Sequence, residues 1–206
     1  MAIPHALLAL LATGPRSVSR LRAEFEARTA AAWPLHLGRV CAALGRLERD
    51  GLVVREGVDR AGRATYALTE AGRVELGSWY TRPVEGAEER GAEPPGEPAP
   101  DELTAKLVLA VGAPGVDVRE IVDAQRRHVS EALQDRVRQR AEVLARLPEH
   151  AGEVARLLVL EQSICRAEAE SRWLDHCAAR LERLARPADS GGVHTVDHPP
   201  RGAPRR

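Results

Sequence analysis

The sequence predicts a mainly α-helical chain with one small β-hairpin: a compact N-terminal domain, then a domain of long helices. Three observations carry that expectation. Aromatic residues make up only 3% of the 206 positions, with a single Phe, so a core must be packed from Leu, Val and Ala, which suits helices. Apolar residues recur at helical spacing over most of the chain, and at one place two short β-rich runs flank a polar, glycine-bearing stretch. A Pro-, Gly- and Glu-rich segment, 83–100, divides the two helical regions.

The first helix spans about 3–12, where Leu7, Leu8, Leu10 and Leu11 are apolar, and Thr13-Gly14-Pro15 ends it. Ser17 is placed to cap a second helix whose buried face holds Leu21 and Phe25 at i, i+4. After Trp33-Pro34, a third helix runs from about Leu37 to Asp50 with Val40, Leu44 and Leu47 on one face. Gly51 stops it, glycine being suited to the left-handed position that closes a helix. Leu52 to Val54 and Ala64 to Leu68 then read as strands joined by a tip at 55–63. Thr69 is placed to cap a fourth helix ending near Tyr80. Helix, helix, helix, strand, turn, strand, helix within about 80 residues is the winged helix-turn-helix order.

In the second half, Asp101 can cap a helix through Val111, where Leu103 and Leu107 fall four apart. Gly112-Ala113-Pro114-Gly115 interrupts it. Asp117 caps a long helix from Val118 to Leu147, Pro148 and Gly152 mark a break, and a last helix reaches about Arg186. Segment 83–100 has almost no large apolar side chain and cannot offset its chain entropy, so a flexible linker is expected. The tail 187–206 reads the same way. The expected domains are therefore 1–82, a linker 83–100, a helical domain 101–186 and a disordered tail.

Long amphipathic helices with few loops need a surface for their apolar stripes, and a second copy of the chain is the economical one. Leu103, Leu107, Val129, Leu133, Leu157, Ile164, Trp173 and Leu181 are the expected dimer contacts. An antiparallel hairpin of the two long helices within one chain is the competing use of the same stripes.

Formal net charge is zero, but its distribution is uneven. Residues 1–83 carry 12 arginines against 8 acidic groups, while 84–102 carry 7 acidic groups and one arginine. The acidic tract thus masks a basic N-terminal domain. No run of apolar residues is long enough for a membrane span, and the N-terminus lacks the basic start of a signal peptide. Three widely spaced cysteines imply no disulfide framework. A cytoplasmic protein is expected. No glycine-rich phosphate loop, catalytic carboxylate pair or Ser-His-Asp pattern stands out, and neither an enzyme nor a cofactor is expected. His176-Cys177 and Cys165 do not complete a metal-ligand spacing. Cys41 lies in the third helix with no neighbouring cysteine to resolve an oxidised thiol, and a buried or half-buried thiol is expected there.

These residues resemble the PadR family of transcriptional regulators. The opening His5-Ala6-Leu7-Leu8-Ala9-Leu10-Leu11 with Gly14-Pro15 is similar to the family's first helix. Trp33-Pro34-Leu35, then Gly38, Val40, Leu44 and Arg46-Leu47-Glu48-Arg49-Asp50-Gly51-Leu52-Val53, resembles its recognition-helix motif. Tyr66 and Leu68-Thr69-Glu70-Ala71-Gly72 are similar to the wing strand and the helix after it. Asp101-Glu102-Leu103, Lys106-Leu107, Leu160-Glu161, Arg166 to Glu170 and Trp173 to Cys177 resemble its C-terminal dimerisation segments. The resemblance implies a homodimer, usually a repressor, released by a small phenolic or drug-like effector. Val18-Ser19 and Cys41 stand where the family commonly has Gly-Tyr and Tyr, which changes the contacts expected there.

If the N-terminal domain reads DNA, phosphate contacts supply affinity and base-edge contacts supply specificity. Arg39 and Arg46 are the expected groove-facing cations of the third helix, with Gly38 and Ala42 beside them and His36 at the cap. Arg16 and Arg20 precede or lie in the second helix, where backbone contact is expected. Arg60 and Arg63 flank Gly62 on the wing. Trp79 and Trp173, with Tyr80, are candidates to line an effector pocket, because aromatic faces suit planar ligands; packing between the helices is the competing use of Trp173 and the one favoured. The competing function is an interaction module that keeps the fold with weakened DNA binding.

Overall fold

The computed structural model describes residues 2–85, 101–146 and 150–185. Most of the expected linker, and the expected tail, lie outside them. The elements run α1 (Ala2–Leu11), β1 (Arg16–Ser17), α2 (Val18–Arg28), α3 (Leu37–Arg49), β2 (Val53–Val58), β3 (Ala64–Leu68), α4 (Glu70–Thr81), α5 (Glu102–Ala110), α6 (Val118–Ala145) and α7 (Ala151–Ala185). The order is the expected winged helix-turn-helix followed by long helices.

Helix α1 is apolar on nearly every face because it is packed on nearly every face. Ala6 through Leu11 are all buried, with α2, α3, α4 and β3 around them and α5 of the helical domain against them as well. A helix apolar all round is an interior helix, and here it is shared by both domains. Leu21 and Phe25 of α2, Val40, Ala43, Leu44 and Leu47 of α3, and Leu76 and Trp79 of α4 close the core about it.

The sheet holds three antiparallel strands in the order β1-β3-β2. The sequence reading missed β1. Arg16 pairs with Tyr66 and Ser17 with Thr65, so the turn between α1 and α2 is stitched to the wing. Ser17 does sit at the N-cap position of α2, but its hydroxyl makes no capping bond; its side chain is buried in the sheet instead. Strand β2 continues to Val58, four residues beyond the expected end, with a bulge between Arg55 and Gly57. Glu and Gly are poor strand formers, which is why this stretch read as loop.

Three expected caps are made. Thr69 Oγ1 accepts from the Gly72 N–H at 3.0 Å, Asp101 accepts from Thr104 N–H at 2.9 Å, and Asp117 accepts from Arg119 N–H at 2.9 Å. Thr69 also lies 2.8 Å from the Gly51 carbonyl, tying the end of α3 to the start of α4. Gly72 must stay small: a Cβ there would collide with the Leu52 carbonyl oxygen and lie 2.8 Å from Leu68 Cδ1. Gly152, expected at a break, lies inside the first turn of α7.

Helices α6 and α7 pack on one another along their length as an intrachain pair. Arg126 reaches Asp175 at 2.6 Å and Arg119 reaches the Leu181 carbonyl at 3.4 Å. Among the described residues, no helix is long and apolar enough to cross a membrane.

Candidate nucleic-acid interface

Helix α3 buries Val40, Ala43, Leu44 and Leu47. The opposite face is set by the same periodicity: Gly38, Ala42, Gly45 and Arg49, of which all but the half-buried Gly45 are exposed. For its first two turns this face is almost bare, so backbone can approach a partner closely. Arg46 stands on one flank, exposed and without a hydrogen bond or ion pair among the described residues. Arg39 lies on the same flank but is half-buried. Cys41 is on the other flank and exposed, contrary to the buried or half-buried thiol that was expected. His36 holds the N-cap position in extended conformation, with no side-chain capping bond.

Around α3 the expected cations divide into two kinds. Arg20 of α2 and Arg60 of the wing tip are exposed and unpaired among the described residues. Arg55, which the sequence placed in the tip and not among the binding residues, lies on β2 opposite Tyr66 and is also exposed and unpaired. Arg16 is different: it donates to Thr13 Oγ1 at 2.8 Å and faces Glu24 at 3.5 Å, half-buried at the α1–α2 junction. Arg63 is also engaged. Its Nε donates to Asp59 Oδ2 at 2.8 Å, while Asp59 Oδ1 accepts from the N–H groups of Ala61 and Arg63. These bonds, first the backbone N–H of Arg63, hold the Asp59 carboxyl down at about 2. Gly62, at φ +74, makes the turn possible.

The aromatic candidates also separate. Trp79 is buried between the domains: it stacks on His5 with ring centroids 5.2 Å apart, and its indole N–H donates to Glu102 at 2.9 Å. The Lys106 ammonium sits 5.2 Å from its ring centre. Trp79 is thus a packing residue of the domain joint. Its neighbour Tyr80 is also buried, which pushes its hydroxyl up to about 12. Trp173 is half-buried and lines an apolar groove of about 350 Å³ with Leu107, Val111, Val122, Cys177 and Leu181. Burial raises the Cys177 thiol above its ordinary value.

Of the expected dimer contacts, Leu103, Leu107, Val129 and Ile164 are buried within the single chain. Leu133, Leu157, Trp173 and Leu181 are half-buried. The outward apolar residues of the long helices are others: Val137 and Leu144 on α6, and Val154, Leu158, Val159 and Leu184 on α7.

The winged domain, residues 7–78, matches the model of the transcriptional regulator PadR-like family. The winged domain is thus a PadR-like domain. Residues 101–182 match a second model, the virulence activator alpha C-terminal domain, so the PadR-like winged domain is joined to a known type of helical domain. A search of curated proteins found no match. Among solved structures, the chain is similar to Bacillus subtilis PadR in complex with operator DNA, at 20% identity over 86% of this chain and 96% of that one, with a TM-score of 0.36. It is similar to the Vibrio cholerae virulence activator AphA at 22% identity, over 89% and 99% of the two chains, with a TM-score of 0.38. Bacillus subtilis PadR in complex with p-coumaric acid matches at 19% identity, over 88% and 99%, with a TM-score of 0.37.

Proposed function

We propose that this PadR-like regulator is a homodimeric repressor that binds double-stranded operator DNA and is released by a small-molecule effector. One observation carries the DNA reading: an exposed, nearly bare α3 face is bordered by unpaired arginines from three elements, Arg20, Arg46 and Arg60. Phosphates are the partner that such a frame of cations fits, and the small α3 face lets the helix backbone enter the major groove. Arg39 and Arg46 are assigned to the groove, Gly38 and Ala42 to close approach, and His36 and Arg20 to the sugar-phosphate backbone. Arg60 and Arg55 serve the wing, while Arg16 and Arg63 hold their own elements in shape.

The dimer reading is supported by Val154, Leu158 and Val159, three exposed apolar residues close together on α7, with Val137 and Leu144 on α6. A second copy would cover them, and pairing sets two recognition helices on two half-sites. Trp173 and its apolar groove are the place assigned to an effector.

The same bare α3 face supports the second reading, an interaction module with weakened DNA binding, since Gly38, Ala42 and Gly45 cannot hydrogen-bond a base edge through side chains. Selection from random duplexes separates the two. The repressor reading expects an enriched, two-fold symmetric sequence whose binding is abolished by Arg39→Ala with Arg46→Ala. No enrichment of any sequence would contradict it.

A further inference from the structure

Three residues leave α4 for the second domain, where α5 and α6 hold them directly and α7 holds the α6 side chain that does so. The Arg82 carbonyl accepts from Lys106 Nζ of α5 at 2.6 Å. The Val84 N–H donates to Gln125 Oε1 of α6 at 2.8 Å, and Gln125 Nε2 donates back to the Val84 carbonyl at 2.9 Å. The same Nε2 donates to Glu170 of α7 at 2.9 Å. Gln125 and Lys106 are each 2% exposed and Val84 is buried. The start of the segment that composition marks as linker is therefore gripped as a strand edge would be, by one side-chain amide.

A primary amide carries an acceptor and donors side by side, so Gln125 can accept from the N–H and donate to the C=O of Val84 at once. Buried polar groups of this kind are rarely left over from packing, because each must be satisfied or it costs stability. The apolar contact between α1 and α5 already joins the domains, but apolar contact is non-directional and tolerates sliding. Hydrogen bonds fix direction and register.

We infer that Gln125, with Lys106, is a positioning element that locks the winged domain at one angle on the helical domain, and so restricts the spacing of the two half-sites the dimer accepts. The inference rests on the dimeric DNA-binding reading above. A winged domain on a loose tether would follow half-sites moved apart or together. A locked one would not, because adding one base pair both lengthens and rotates the site.

The test compares the selected operator with versions carrying one base pair more or fewer at the centre. The wild-type protein is expected to prefer the selected spacing by about tenfold or more, and Gln125→Met to reduce that preference to about twofold, with unchanged binding to one half-site. Lys106→Met is expected to act in the same direction, while Arg46→Ala lowers binding to all three duplexes and keeps their ratio. An unchanged ratio in a folded Gln125→Met protein would overturn the inference. A second arm needs no variant: the Val84 amide of the wild-type protein is expected to exchange its hydrogen as slowly as the α6 amides. Exchange at the rate of an open loop would overturn the clasp. Should selection yield no operator, the functional reading falls, and the exchange arm still decides the clasp.

Discussion

Arg60 and Arg63 lie three residues apart on one turn, yet their electrostatic situations differ. Arg60 is exposed and unpaired among the described residues, whereas Arg63 faces the ionised Asp59 at 2.8 Å. Replacing Arg60 with Ala is expected to lower the slope of log affinity against log salt by about 0.9 for each protomer, one phosphate contact each. Replacing Arg63 with Ala is expected to leave that slope nearly unchanged and to loosen the wing turn. Fluorescence anisotropy across a salt series distinguishes them. Lys106 offers a test of burial. Desolvation brings its ammonium from the ordinary 10.5 down to about 8, with the Arg82 guanidinium adding to the fall and Glu102 opposing it. The folded state thus bears the cost of a buried cation below pH 8. Between pH 8 and 10.5 the unfolded chain holds the proton more tightly, so this group makes the fold more stable as pH rises. Over that whole window the gain is expected to be about 3 kcal/mol. Urea unfolding should show the wild type gaining on Lys106→Met between pH 8 and 10; a gap that stays constant would contradict the assignment.

At the scale of elements, the junction of α3, the wing and α4 depends on one small residue. Gly72→Ala places a methyl group against the Leu52 carbonyl and the Leu68 side chain, and backbone cannot move aside as a side-chain tip can. A loss of about 2 to 4 kcal/mol is expected by thermal or urea unfolding, more than overpacking usually costs. A loss below about 0.5 kcal/mol would show that the junction can relax. The helices were readable because their periodicity, caps and stop signals agree: Val40, Leu44 and Leu47 define α3, and Thr69, Asp101 and Asp117 mark three starts. Strand β1 was not readable. Two residues carry no periodicity, and Arg16-Ser17 pair only because β3, some 50 positions away, brings Tyr66 and Thr65 beside them. The expected binding residues on α3 were placed on the right helix, but its wheel alone could not tell that Arg39 is half-buried and Arg46 open. Nor could sequence show Lys106 and Gln125 as buried partners of the α4 exit, since both are polar residues on otherwise amphipathic helices.

The whole molecule is a winged domain and a helical domain that share α1 and are joined by a polar clasp. Its expected dimer stripe is largely used inside the chain, in the pairing of α6 with α7, so association must use what remains outside. In light scattering the wild type is therefore expected to be a dimer and Leu158→Glu a monomer. A dimer of unchanged strength would move the interface elsewhere on the helices. The central claim is that α3 and the arginines around it form the DNA surface. Its most direct measurement is the affinity of the wild-type protein for a selected duplex from low to physiological salt, beside the Arg20, Arg46 and Arg60 triple alanine variant. Wild-type affinity is expected to fall steeply with salt, and the variant to bind weakly with a slope shallower by about two phosphate contacts per protomer, those of Arg20 and Arg60. Equal affinity and equal slope for the two proteins would contradict the claim.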